Sequence, residues 1–329
     1  MNGLVSILIP CHNAERWVGQ AIESALAQTY APCEIIVVDD GSTDGSRDVI
    51  RGFEDRIRWE TQPNRGANAA RNHLLKLARG EWVQYLDADD YLLPGKIATQ
   101  MRVLKENPDA DVLYGLVTKE WRDGEGVKQD LQLIPEPRDP WALLARWYLP
   151  QTGGSIYRKS ALLDVGGWKI DQPCCQEHEL YLRLLRARKH FVYCPHNGAI
   201  YRIWSADTLC HKDDCEVRRR RRAILADEEA HLRGAGELTA TRLQAINQAR
   251  FEMARLAWRQ DRSAAMAIFE DILAADRRFA PLGSQPGGHH PPLIYRALYR
   301  LLGFVVAETV AERVHALRAR LALRARASA

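Results

Sequence analysis

The stretch Glu34-Ile35-Ile36-Val37-Val38-Asp39-Asp40-Gly41-Ser42-Thr43-Asp44 decides the fold. Its apolar run is continuous rather than alternating, as expected of a strand buried on both faces of a parallel sheet. The run ends in two acids and a glycine. Ser42-Thr43-Asp44 then supply cap residues for a short helix. Working outward, Leu4 to Ile9 is a second continuous run, ended by Pro10. Ala14 to Ala27 reads as a helix, because Trp17, Val18, Ala21, Ile22, Ala25 and Leu26 recur at spacings of three and four. A short strand is predicted at Ile57-Arg58-Trp59, and a helix over Asn68 to Ala78 is stopped by Arg79-Gly80. Trp82 to Leu86 is a fourth strand, running into Asp87-Ala88-Asp89-Asp90. Pro94 opens a helix to about Glu106. This strand–helix rhythm predicts an α/β, doubly wound, mainly parallel sheet.

Beyond residue 110 the pattern is mixed. Short strands are predicted at Val112-Leu113-Tyr114, Val117 to Trp121, Ser155-Ile156-Tyr157, Phe191-Val192-Tyr193 and Ala199 to Ile203, with an amphipathic helix over Cys174 to Arg188. From Asp213 onward the chain reads as helical. Pro281 to Pro292, with Pro286-Gly287-Gly288 inside it, reads as a linker, and a last helix is predicted from Leu293 to about Ala325. The expected organisation is therefore a unit over 1–210, a helical extension over 211–280, a linker over 281–292 and a basic amphipathic helix over 293–329.

Lys plus Arg number 46 against 42 Asp plus Glu, a net charge of +4 that is too small to imply nucleic-acid binding. No apolar run approaches the ~18–20 residues of a membrane span, and no leader-like start is visible, so the cytoplasm is the expected compartment. The seven cysteines form no C-x-x-C pair. Cys174 with His178, and Cys210-His211 with Cys215, lack the repeated short spacing of structural zinc sites.

The carboxylates carry the functional signal. Asp39 and Asp40 end one strand, and Asp87, Asp89 and Asp90 end another. Open α/β sheets bind ligands outside these strand ends. Crowded carboxylates repel, so a cation or a donor-rich ligand is expected among them. Hard oxygen donors suit Mn²⁺ or Mg²⁺ shared with substrate phosphates. Asp44 is read as a turn residue. No P-loop is present, and the G-x-G at Gly234-Ala235-Gly236 follows no strand. A phosphorylation receiver domain fits poorly, because Asp55 sits in a polar stretch, Glu54-Asp55-Arg56.

Three blocks, Val5 to Glu15, Ile35 to Gly45 and Tyr85 to Asp90, together resemble the family 2 glycosyltransferases of the GT-A fold, over roughly residues 3–210. The resemblance implies an inverting, metal-dependent transfer from a nucleoside diphosphate sugar, with UDP the commonest nucleotide, to an acceptor hydroxyl, as in surface polysaccharide or glycolipid synthesis. It places Pro10, Asn13 and Glu15 in the nucleoside pocket, Asp40 on the base, and Arg71 on the nucleotide. Asp87-Ala88-Asp89 takes the D-x-D position, with Asp87 near ribose and metal and Asp89 as the direct ligand of Mn²⁺ or Mg²⁺.

Inversion requires a base on the acceptor side. Gln176-Glu177-His178-Glu179-Leu180 resembles the family's acidic helix start, and alignment on Leu180 and Arg183 puts Glu177 at the catalytic position. Glu is one methylene longer than the usual Asp, and Gln176 replaces an acid. Glu179 is the alternative, and a third reading gives both acids only a helix-dipole role. A non-catalytic nucleotide-sugar-binding protein is the competing class. Trp168 reads equally as a sugar platform or a core plug. Ser205 to His211 is a candidate loop over the diphosphate. The Q-x-x-R-W motif of processive synthases is absent.

Arg218 to Arg222 would point all around a helix, so pairing with nearby acids and contact with an anion both remain open. The final helix has three readings: packing on its own domain, pairing in a homodimer, or peripheral contact with the inner face of a membrane.

Overall fold

The structure, a computed structural model, describes residues 3–124, 126–203, 213–283 and 291–327, the last ten by backbone alone. Its strands are β1 (Val5–Cys11), β2 (Cys33–Asp40), β3 (Arg58–Gln62), β4 (Trp82–Tyr85), β5 (Tyr91–Leu92), β6 (Val112–Asp123), β7 (Gly126–Gln132), β8 (Ser155–Arg158) and β9 (Phe191–Ile203). Its helices are α1 (Val18–Leu26), α2 (Ser46–Arg51), α3 (Ala67–Leu77), α4 (Lys96–Glu106), α5 (Pro140–Ala145), α6 (Lys159–Asp164), α7 (Gln176–Arg186), α8 (Asp214–Gly234), α9 (Ala240–Trp258), α10 (Arg262–Ala275) and α11 (Leu293–Ala327).

Among the described residues the strands form one sheet in the order β3-β2-β1-β4-β8-β6-β9-β5, with β7 on β6. The pairs β3–β2, β2–β1 and β1–β4 are parallel, which is the half the apolar runs predict. The chain leaves β1 toward β2 on one side and returns with β4 on the other. A crevice therefore opens at the carboxyl ends of β1 and β4. Leu8 pairs with Tyr85, and its carbonyl accepts from the Leu86 N–H at 2.9 Å. By alternation the missing N–H of Pro10 faces the same side, past the end of β4, where it forfeits no ladder bond. The opposite ends of these strands are tied by Glu34, whose Oε1 accepts from Ser6 Oγ at 2.5 Å and Arg79 N at 2.6 Å.

The other half is mixed. β6 runs parallel to β9 and antiparallel to β7 and β8. The sequence predicts two strands on either side of residue 115 and two around residue 195. The structure makes each pair one strand, because β9 carries extra residues where Gly115 faces Cys194 and Leu116 faces Asn197. That bulge interrupts the apolar period without ending the ladder. A side chain at Gly115 would lie 2.9 Å from the His196 carbonyl. β7 was not expected: it is an exposed edge strand of mostly polar residues.

The chain divides at residue 224 into two compact units, Met1–Ile224 and Leu225–Ala329. The second unit is helical. Its core is aromatic, with Phe251 against Phe279, Tyr295, Tyr299 and Phe304. The last helix was expected to be continuous, but Gly303, at φ 82°, breaks α11.

Gly80 packs closely against the start of β1. A Cβ there would lie 2.6 Å from the Leu4 carbonyl and 2.7 Å from Ser6 Oγ. Gly80→Ala is expected to destabilise the chain by about 1–3 kcal/mol, read as a lower urea midpoint; an unchanged midpoint would contradict the packing.

Candidate active site

The loops after β1 and β2 are sewn together by the residues that precede their helices. Asn13 takes the left-handed conformation, at φ 50°. Its Oδ1 accepts from Thr43 N at 2.8 Å, and its own N–H donates to Ser42 Oγ at 3.0 Å. Glu15 accepts from Gly45 N at 3.1 Å and donates its N–H to Asp44. Asp44 also accepts from Ser46 N and Oγ, so it is the turn residue the sequence suggests. Burial pushes its pKa up, but these donors outweigh that and hold it below the usual value.

Both acids ending β2 are buried and bonded. Asp39 accepts from Arg47 Nε at 2.7 Å. Asp40 accepts from Gln62 Nε2 at 2.6 Å, Arg65 N at 2.9 Å and Gly66 N at 2.8 Å. It therefore holds the turn into α3, and a nucleobase would add a fourth donor to it. Its carbonyl meets His12 Nδ1 at 2.9 Å.

The acids after β4 differ sharply. Asp87 Oδ1 accepts from Arg71 Nη2 at 2.7 Å. Asp90 is buried and accepts from Arg202 N at 2.8 Å. Asp89 lies between them, half-buried, and no other residue's donor reaches its carboxylate among the described residues. Burial, then the charge of Asp87, push its pKa up to about 6. Asp90 is pushed up by burial and by both neighbouring acids. Arg202 supports this turn. It donates to the Asp89 carbonyl at 3.1 Å, to Glu120 at 3.2 Å and to Gln20 at 2.5 Å, with Tyr91 beneath it. Nothing in the sequence marks Arg202, because a lone arginine in a strand reads as exposed.

This donor set fits a divalent cation. Among the described residues the Asp89 carboxylate takes no donor from another residue, and it lies beside a second carboxylate that repels it; a cation would relieve both conditions. No cluster of three His, Cys, Asp or Glu side chains suited to a metal occurs among the described residues. Asp87 and Asp89 would therefore supply two ligands, leaving other positions for phosphate oxygens and water.

Helix α7 reaches this turn through Arg71. It begins after Cys175, which sits at φ 56°. Gln176 Oε1 accepts from Arg71 Nη1 at 2.6 Å. Glu177 is half-buried and accepts from Thr152 Oγ1 at 2.5 Å. Glu179 is buried and gripped by Arg183 at 2.8 Å. Arg71 thus joins Asp87 to α7. Its guanidinium lies 4.7 Å from the centre of the Trp168 ring. Burial alone would lower the Arg71 pKa, but the charges of Asp87 and Glu177 outweigh it and raise it. Trp168 is 2% exposed and packs edge-on against Tyr85, so it is a core plug and not a sugar platform. Pro10 is buried in β1. Ser205 to His211 lie outside the described residues.

The arginine run is absorbed locally. Arg219 and Arg220 pair with Glu216, and Arg220 also donates to Gln172 at 3.2 Å. Arg221 stacks on Trp147, whose other face stacks on His178 with ring centres 3.5 Å apart.

Residues 6–166 match the model of a family described as glycosyl transferase family 2. An uncharacterised glycosyltransferase of Rickettsia felis is 33% identical over 201 residues, covering 57% of this chain and 32% of that protein. One from Nostoc sp. is 31% identical over 213 residues, covering 56% of this chain and 66% of that protein. The chain thus spans less than two thirds of the length of these relatives. Among solved structures, S. aureus TarS 1-349 in complex with UDP-GlcNAc has a similar fold, with a TM-score of 0.60 at 16% identity, covering 82% of this chain and 81% of that one.

His178 yields a pH prediction. Burial first, then the charge of Arg221, hold its pKa well below the usual value. It stays neutral in the fold and binds its proton on unfolding. Its contribution is therefore present above the unfolded pKa of about 6.5 and is lost below it, at up to about 1.4 kcal/mol per pH unit. Urea titrations between pH 7 and 5 should show a shallower loss in His178→Gln than in the native chain. Parallel curves would contradict this.

Proposed function

We propose that this chain, whose residues 6–166 belong to glycosyl transferase family 2, transfers a sugar from a nucleoside diphosphate sugar to an acceptor hydroxyl with inversion. The observation that carries the reading is the bridge from Asp87 through Arg71 to Gln176, the neighbour of Glu177. It supports a reading in which the carboxylates of Asp87 and Asp89 serve a metal-bound diphosphate and the Glu177 carboxylate serves proton removal.

In this reading the donor lies along the ends of β1, β2 and β4. The loops held by Asn13, Glu15 and Asp40 shape the nucleoside pocket. Asp87 and Asp89, the D-x-D pair, would hold Mn²⁺ or Mg²⁺, which when bound neutralises charge on the departing diphosphate. Glu177 takes the proton of the acceptor hydroxyl as that oxygen bonds to the anomeric carbon. The bond from that carbon to the diphosphate breaks on the opposite face, so configuration inverts. Arg71 orients Asp87 and steadies α7 through Gln176, and Trp168 backs its guanidinium. Support for Glu177 over Glu179 lies in their partners: Arg183 forks the Glu179 carboxylate, whereas Glu177 meets a single hydroxyl. UDP is the first nucleotide to test, since TarS, which shares the fold, was captured with UDP-GlcNAc. The acceptor class carried over from the family resemblance is a surface polysaccharide or glycolipid precursor.

Glu177→Gln should lower transfer and donor hydrolysis by about 10²–10⁴-fold with donor affinity unchanged. Glu179→Gln should act mainly on stability. Full turnover in Glu177→Gln would remove the base assignment. Donor binding by the native chain with no turnover toward any acceptor or water would favour the non-catalytic binder.

A further inference from the structure

We propose that the outer face of α11 docks on an anionic lipid surface. This is independent of the sugar-transfer reading. After the break at Gly303, Val306, Val310, Val314 and Leu317 follow at spacings of four, four and three, which puts them on one face. All four are exposed, Leu317 by 59%. Just before the break, Leu301 is 79% exposed and Leu302 58%. The inward side is different: Phe304, Ala307 and Glu308 are buried in the helical unit. Large apolar side chains are thus displayed along a helix whose core-facing residues are already satisfied.

Charge identifies the occupant. The only acids of α11 are Glu308 and Glu312, and both face arginines of neighbouring helices. Glu308 accepts from Arg255 at 2.7 Å, and Glu312 from Arg262 at 3.0 Å. From Arg313 to Ala329 the sequence has five arginines and no acid. A second copy of the chain would set this basic, apolar helix against its own like charge. An anionic lipid surface buries the apolar side chains and neutralises the arginines together. Among the described residues no helix is long and apolar enough to cross a membrane, so the mode is interfacial.

Flotation of the full chain with phosphatidylcholine vesicles, with and without phosphatidylglycerol, tests this. The chain should float with the anionic vesicles, be released by high salt, and stay behind with neutral ones. Val310→Ser combined with Val314→Ser should abolish flotation while leaving the helical circular dichroism intact. No flotation by the native chain, equal flotation with neutral vesicles, or flotation of the double variant at the native level would overturn the proposal. So would light scattering that showed a dimer dispersed by the same double variant, which would assign the face to a second copy.

Discussion

One buried guanidinium organises the first unit. Arg71 is 4% exposed, and its charge could not sit there without acids close by. Asp87 receives one nitrogen, and Gln176 and Asn68 share another. The planar fork suits this task, since it reaches β4's end and α7 at once from a fixed position on α3; the point charge of a lysine would hold one partner at a time. The turn that carries Asp87 and helix α7 are thereby set by the same side chain. Asn68 extends the tie, donating to the carbonyls of Lys169 and Gln172 in the segment that leads into α7.

The five aspartates at the strand ends divide the labour that the sequence shows only as a cluster. Asp39, Asp40 and Asp90 accept from protein donors and build turns. Asp87 is shared with Arg71. Among the described residues, Asp89 takes no donor from another residue. An acidic cluster read from sequence is thus mostly scaffold, and the residue of interest is the one the scaffold does not satisfy.

The parallel half of the sheet was legible because strands buried on both faces appear as unbroken apolar runs, and their acids mark where they end. The mixed half was less so. The bulge at Gly115 splits two long strands into apparent pairs, and the polar β7 lacks any alternation to find. Arg202 and the choice between roles for Trp168 depend on which side chains meet across distant segments, and no local pattern encodes that. The alignment that favours Glu177 over Glu179 is local; what it does not show is that Arg183, four residues beyond Glu179 on the same helix face, takes the Glu179 carboxylate. The break at Gly303 was hidden inside an otherwise helical pattern, since an isolated glycine is often tolerated in a helix.

The central proposal is that Asp89, which among the described residues takes no donor from another residue, joins a cation to a donor diphosphate. Calorimetric titration of the native chain with UDP-sugars, in Mn²⁺ and again after chelation, tests it most directly, with Asp89→Asn as the comparison. The account predicts saturable binding that weakens on chelation and in Asp89→Asn alike. Binding of equal strength under all three conditions would contradict it.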